Sequence, residues 1–170
     1  MFKSILGRLF WTYAIILMLV FTSVAVTVGI FVNHFAISTH MNNVISVSRN
    51  LEYWTGSLQI EDTDYRARAA YKQLLRSWGS FLNSDIIVTN SNGEVLESTT
   101  SSATVPDELV HIVTNGNIVK KYSTLNGSYK NKMMVIGVPI KYQGGIVGAS
   151  FYVTGIFDIR KTTLELFMMV

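Results

Sequence analysis

The stretch KMMVIGVPIKYQGGIVGASFYVT, residues 132–154, holds two apolar runs that are rich in β-branched and aromatic residues. Such runs are typical of strands, and the Gln143-Gly144-Gly145 connection between them is typical of a hairpin. We therefore predict strands at 132–142 and 146–154. Pro139 has no backbone N–H, so a bulge or an unpaired position is expected within the first of these strands.

A second hairpin is predicted upstream of this stretch. Segments 85–89 and 94–98 carry strand-forming residues and flank Asn92-Gly93. An Asn-Gly pair favours a type I′ turn, in which both central residues have φ > 0. A further strand is predicted at 118–124, after which Asn126-Gly127 turns the chain towards the strand at 132–142.

Three helices are predicted from apolar periodicity and from terminal residues that favour helix ends. They cover 36–58, 64–81 and 106–113, and the last has proline in its first turn. Four basic side chains of the second helix are interpreted as a solvated face: Arg66, Arg68, Lys72 and Arg76. Two helices, a hairpin, a short helix and a three-strand meander predict an α+β fold.

The N-terminal part of the chain is predicted to cross a membrane. Residues 9–33 contain no charged side chain and read as one apolar segment. About 20 residues of helix cross a hydrocarbon core, so the segment is long enough. Because Lys3 and Arg8 precede it, residues 1–8 are expected in the cytoplasm and the rest of the chain outside.

The same segment is open to two other interpretations. Ser23-Val24-Ala25 has the small-x-small pattern of a signal-peptide cleavage site, with Lys3 and Arg8 as the positively charged start. The apolar run continues to Val32, which a cleaved signal peptide does not need, so a retained anchor is favoured. A pilin-type N-terminus is disfavoured because no acidic residue lies early in the run.

The C-terminal residues predict a second membrane segment. The chain becomes apolar from Leu166 to Val170, and we expect 161–170 to be the start of a span that is truncated in this sequence. The alternative is a C-terminal helix that docks on the domain.

Composition excludes several classes of protein. Charged residues make up only 15% of the 170 residues, and the formal net charge of +3 comes from dispersed Lys and Arg. No basic face suited to nucleic acid is visible. Cysteine is absent, which excludes disulfides, thiolate metal sites and a cysteine nucleophile. His34, His40 and His111 match no phosphoacceptor or metal motif, so no metal, cofactor or catalytic site is predicted.

The segments DIIVTNSNGEVL (85–96) and VIGVPIKYQGGIVGASFYV (135–153), followed by FDIR (157–160), resemble the extracytoplasmic single-Cache or PDC domain. The resemblance implies a five-stranded antiparallel PAS-like sheet, with the long N-terminal helix across one face and a ligand pocket on the other. It assigns residues 34–160 to a sensor domain placed between two membrane spans.

The resemblance also implies a function. We expect the signal-sensing input module of a membrane receptor, most simply a two-component sensor histidine kinase. A chemoreceptor input domain is an alternative from the same class. The alternative from another class is a single-span or secreted small-molecule-binding protein, and the coding sequence after Val170 would distinguish it. Neither the ligand nor an extracytoplasmic protein partner is identified by the sequence.

Four residues are predicted to line a ligand pocket on the late strands. In the fifth strand Ala149, Phe151 and their alternate neighbours Val147 and Val153 are expected to face the long helix as core. The opposite face would then carry a polar set suited to a small polar or anionic ligand: Lys120, Tyr122, Ser150 and Tyr152. The alternative is that the two tyrosines are packing residues and that the lysines are solvated charges which protect an edge strand.

A homodimer is also expected. The family implies pairing along the first helix, and helical spacing is compatible with an apolar stripe as its interface: Ile37, Met41, Val44 and Leu51.

Overall fold

The computed structural model describes residues 5–60, 65–101 and 104–155. Within those ranges the elements in chain order are α1 (Ile5–Ile60), α2 (Tyr65–Leu82), β1 (Asp85–Asn90), β2 (Val95–Ser98), α3 (Asp107–Thr114), β3 (Val119–Ser123), β4 (Met133–Tyr142) and β5 (Gly145–Thr154). The boundaries predicted for the strands and for the ends of the helices agree to within two residues. The predicted membrane segment at 161–170 lies outside the described residues.

The chain divides into two compact units, Met1–Ile37 and Ser38–Val170. In the first unit α1 is apolar, and its side chains are exposed from Arg8 to Phe31 apart from the half-buried Ala14. No Asp, Glu, Lys or Arg occurs between Arg8 and Arg49. By length and composition this helix is able to cross a membrane.

The second unit contains a five-stranded sheet in the order β2-β1-β5-β4-β3. All four neighbouring pairs are antiparallel. The predicted α+β fold with five antiparallel strands is confirmed. Strand β5 is central, and from Gly148 to Thr154 every residue is buried.

Both faces of the sheet are covered. Tyr152 pairs with Ile86 on one side and Ile136 on the other, so these side chains share a face. On that face Ser150 contacts Ser48 of α1. On the opposite face Phe151 belongs to an apolar cluster with three residues of α3: Leu109, Val110 and Val113.

The predicted orientation of β5 is therefore wrong. Ala149, Phe151 and Val153 pack in the cluster with α3, whereas Ser150 and Tyr152 lie on the side of α1. The error has a physical cause. A strand buried on both faces needs no polar side, so alternation along it does not identify which face meets which helix.

The first hairpin turn also differs from expectation. Gly93 has φ of 88°, but Asn92 is not among the residues with positive φ. The Gly93 N–H donates to the Asn90 carbonyl, and Asn90 pairs with Glu94, which is a type I turn followed by a left-handed glycine. The type I′ signature instead occurs between β4 and β5, where Gln143 and Gly144 have φ of 48° and 84°.

Pro139 lies in the part of β4 that extends beyond its pairing with β3. Strand β3 ends its pairing at Val119 opposite Gly137, so the β4 residues after Gly137 have no partner on that side. The β4–β5 register shifts between Ile140 and Lys141. The expected irregularity is thus present next to the proline.

Gly148 is the position at which the central strand tolerates no side chain. A Cβ built there would overlap the Thr89 carbonyl oxygen of β1. We expect Gly148→Ala to lower the free energy of unfolding by about 1–3 kcal/mol, the usual cost of overpacking. Gly145→Ala is the matched control, because its nearest neighbour would be 3.9 Å away, and its effect should stay within about 0.5 kcal/mol. Urea unfolding followed by circular dichroism measures both, and equal stability of the two variants would contradict the close packing.

Candidate functional site

One face of α1 is buried in the second unit. The side chains with 3% exposure or less recur at steps of one, three or four residues: Val44, Val47, Ser48, Leu51 and Thr55. This spacing defines a single helical stripe. Two of the five residues carry hydroxyls, so the stripe is not purely apolar.

Polar contacts of His40, Ser48 and Thr55 with other described residues join α1 to the rest of the domain. His40 Nε2 lies 3.1 Å from Thr154 Oγ1, Ser48 Oγ lies 3.3 Å from Ser150 Oγ, and Thr55 Oγ1 lies 2.6 Å from the Tyr71 hydroxyl. We call these six residues the polar seam. Two of its contacts reach β5 and the third reaches α2.

The His40 contact brings together the two ends of the domain. His40 is near the start of the second unit, and Thr154 is the last residue of β5. Ser84, between α2 and β1, also contacts the Thr154 hydroxyl. The start of the second unit and the end of β5 therefore lie side by side.

The opposite end of α1 is also fixed closely to the sheet. A Cβ on Gly56 would overlap the side chain of Tyr142, the last residue of β4. Glycine is needed here for close approach rather than for an unusual φ. Helix α1 thus follows the sheet from Thr154 at one end to Tyr142 at the other.

Tyr152 carries the buried polar group that lacks a partner. Its residue is 0% exposed, and its hydroxyl makes no hydrogen bond within the described part of the chain. Burial raises the pKa of Tyr152 to about 12. A buried phenol without a partner is unusual in a folded protein.

The four predicted ligand residues are not brought into one pocket. Lys120 pairs with Ile136, which pairs with Tyr152, so the four lie on one face. Ser150 and Tyr152 are buried beneath α1, whereas Lys120 and Tyr122 are exposed on the outer strand β3. The predicted placement opposite the long helix is wrong for the reason given above. A role of these residues in ligand binding stays a prediction.

Half of the predicted dimer stripe is used inside the protomer. Val44 and Leu51 are 0% and 1% exposed, so neither side chain has surface left for a partner subunit, and this part of the prediction is wrong. The apolar stripe of α1 covers the chain's own sheet instead. Ile37 and Met41 are half-buried, and their contact with a second subunit stays a prediction.

The sequence held one overlooked signal for the seam. Ser48 interrupts the apolar spacing of α1, and this interruption is the position that meets Ser150. His40 and Thr55 continue the same stripe in both directions. No group of three or more His, Asp or Glu side chains capable of holding a metal occurs within the ranges that the structure describes.

The two buried tyrosines of this region predict opposite effects of the same substitution. Tyr71→Phe removes the partner of the buried Thr55 hydroxyl, so we expect the free energy of unfolding to fall by about 1–2 kcal/mol. Tyr152→Phe removes a hydroxyl that has no partner, so stability should stay within about 0.5 kcal/mol or rise. Urea unfolding of both variants checks this, and a greater loss for Tyr152→Phe would contradict the contacts.

The stability of the domain should depend on His40 at mildly acid pH. Burial lowers the pKa of His40 below its ordinary value of 6.5. The unfolded chain therefore takes up a proton before the folded one does, and stability falls as the pH drops through 6.5 and below. Thermal unfolding across this range should show a weaker decline in His40→Gln. His111→Gln, at an exposed position, should retain the full decline, and identical profiles for all three proteins would contradict the role of His40.

Comparison with known proteins finds solved structures with a similar fold, whereas comparison of sequences finds no match. No protein-family model matches the chain, and no curated protein sequence matches it significantly. The ligand-binding domain of the Campylobacter jejuni chemoreceptor Tlp3, solved with L-valine, is similar with a TM-score of 0.51 and 15% identity over 75% of this chain. The same domain with isoleucine bound gives 0.51 and 16%. The V. cholerae histidine kinase DctB sensor domain gives 0.47, with 8% identity over 76% of this chain and 57% of its own.

The chain spans 60% of the length of both Tlp3 structures. At such low identity a likeness concerns the course of the backbone and not the residues of a site. The chain therefore shares the α+β fold of a chemoreceptor's ligand-binding domain.

Proposed function

We propose that this chain is the extracytoplasmic signal-sensing input module of a membrane receptor. The observation that carries the proposal is the contact between His40 and Thr154. It holds the start of the second unit beside the last residue of β5. A module with adjacent ends is suited to a receptor in which two neighbouring helices cross the membrane.

The apolar first part of α1 supports a membrane location. Large apolar side chains such as Phe10 and Met18 are 70% and 72% exposed. A helix that exposes apolar residues all round is stable in lipid and costly in water. Lys3 and Arg8 favour a cytoplasmic N-terminus, which supports an extracytoplasmic position for the second unit.

The polar seam supplies a means of transmission. Each hydroxyl contact is worth about 0.5–1.5 kcal/mol, so an alternative pairing of α1 with β5 differs by only a few such terms. A signal that prefers one arrangement shifts the population by its differential affinity. The relative position of the two ends then changes with it.

Finer parts of the proposal rest on the fold and on the quoted motifs. Tlp3 was solved with amino acids, and by analogy we propose a small-molecule signal. Membership of the single-Cache or PDC family, homodimerisation and a histidine kinase output are part of the same proposal. A chemoreceptor output is equally compatible with this fold, because the input domain does not determine the domain that follows it.

A disulfide across the seam tests location and coupling together. The chain has no cysteine, and the hydroxyls of Ser48 and Ser150 are 3.3 Å apart. We expect Ser48→Cys with Ser150→Cys to bridge spontaneously in intact cells, because disulfides persist outside the cytoplasm. In the full-length receptor the bridge should fix the output at one level regardless of the signal.

The matched control is Ser46→Cys with Ser150→Cys. Ser46 is exposed on another side of α1, so this pair should stay reduced. Non-reducing electrophoresis after blocking free thiols reads out both. A seam pair that stays reduced in cells but bridges after lysis would mean that the domain is cytoplasmic, and a bridged receptor that still responds would contradict transmission through the seam.

A further inference from the structure

The last turns of α2 carry an apolar stripe that is only partly covered. The buried side chains of this helix form one stripe, which ends at Leu82. Beside it, Leu74, Trp78 and Phe81 recur at steps of four and three residues, so they form a second line along the helix. Their exposure increases towards the end of α2, because Leu74 and Trp78 are half-buried whereas Phe81 is 69% exposed.

Trp78 and Phe81 form an aromatic pair at the end of this stripe. Their ring centroids are 5.9 Å apart, and the rings are nearly perpendicular, with an interplanar angle of 83°. This edge-to-face contact holds the two rings together, yet Phe81 keeps most of its surface outside the protein. Adjacent exposed apolar rings are typical of surfaces that contact a membrane or another protein.

The aromatic pair lies at the end of the domain that follows the apolar segment in sequence. Ser84, two residues after α2, contacts the Thr154 hydroxyl, which in turn contacts His40 of α1. His40 follows Asn33, the end of the apolar segment, by only seven residues. Seven residues rise about 10 Å in a helix and reach at most about 25 Å when extended. A membrane span at 9–33 therefore keeps this end of the domain close to the lipid.

Basic side chains lie at the same end of the sheet. The connection from β3 to β4 leads into the end of β4 that pairs with the end of β5. This connection carries Lys130 and Lys132, and both are exposed. Asp85, the first residue of β1, also lies at this end, but it is half-buried and accepts a hydrogen bond from the Tyr129 hydroxyl at 2.7 Å. The two accessible cations are suited to the phosphates of lipid headgroups.

We propose that Trp78 and Phe81 insert into the headgroup layer of the membrane that anchors the chain, with Lys130 and Lys132 at the lipid phosphates. Tryptophan favours this layer, phenylalanine adds apolar area, and long lysine side chains reach from an apolar surface to polar groups. The layer is about 5–8 Å thick, which is comparable with the rise of seven helical residues. The inference goes beyond signal sensing and rests on the membrane location within the proposed function.

The three tryptophans of the chain allow the contact to be measured directly. Replacing two of them by phenylalanine leaves one reporter: Trp11 in the apolar segment, Trp54 near the opposite end of the domain, or Trp78. The full chain is placed in nanodiscs of phosphatidylcholine brominated just below the headgroups, because bromine quenches tryptophan only at short range. Trp78 should lose much of its emission relative to unbrominated lipid, whereas Trp54 should lose none.

Substitution of Phe81 tests whether the apolar surface causes the contact. In the protein with Trp78 as its only tryptophan, Phe81→Asp should remove most of the quenching and shift the emission maximum to longer wavelengths. Phe81→Ser should do the same without adding a charge. Tyr53→Asp is the matched control, since Tyr53 is also 69% exposed but lies near the opposite end of the domain, and it should leave the quenching unchanged. Circular dichroism melting in the nanodiscs confirms that each variant is folded.

The charge of the lipid tests the two lysines. Quenching of Trp78 should increase when anionic phosphatidylglycerol is added to the nanodiscs, because the phosphates then attract Lys130 and Lys132 more strongly. Lys130→Gln together with Lys132→Gln should abolish this increase. No increase in the parent protein, or an increase that survives the double substitution, would overturn the part of the proposal that concerns the lysines.

Unquenched Trp78 overturns the lipid contact as a whole. Emission at long wavelength then places the ring in water, and emission at short wavelength means that residues 156–170 or a second copy of the chain cover it. Quenching that both Phe81 variants leave unchanged, or that Trp54 shares, also overturns it. Trp11 separates these results from a failure of the proposed function: if Trp11 is quenched the membrane anchor stands, and if it is not the anchor itself is wrong.

Discussion

Burial of β5 on both faces is the constraint from which the rest of the domain follows. The strand has β1 and β4 as neighbours, α3 beneath Phe151 and α1 above Ser150. A polar group on this strand is therefore costly unless it finds a partner inside the protein, since water is excluded. Gly148 shows how tight this packing is, because the neighbouring carbonyl occupies the space of a side chain.

The polar groups on the α1 side of β5 determine the position of the helix. Ser150 and Thr154 lie on one face of the strand, where they contact Ser48 and His40 of α1. A purely apolar interface would tolerate small shifts of the helix, whereas each misplaced hydroxyl here leaves a buried group unpaired. The same contacts thus oppose small shifts of α1 along the strand.

The sequence predicted the elements well because their signals are local. Strand and helix limits such as 85–89 and 64–81 follow from turn residues and periodicity over a few positions. Which helix covers each face of a strand depends on distant parts of the chain. For this reason the predicted orientation of β5 is wrong. The solvated face of α2, in contrast, follows from local periodicity, and its four cations are exposed as predicted.

The close approach of Tyr142 to Gly56 fixes the position of α1 at this end, so that the helix can tilt about the glycine. From Gly56 back to His40 the helix extends about 24 Å, at about 1.5 Å for each residue. A tilt of only about 5° around the glycine displaces the His40 end by about 2 Å, the size of helix shifts that switch other proteins. A small change in the angle of the helix at Gly56 therefore becomes a larger displacement at His40, near the start of the second unit.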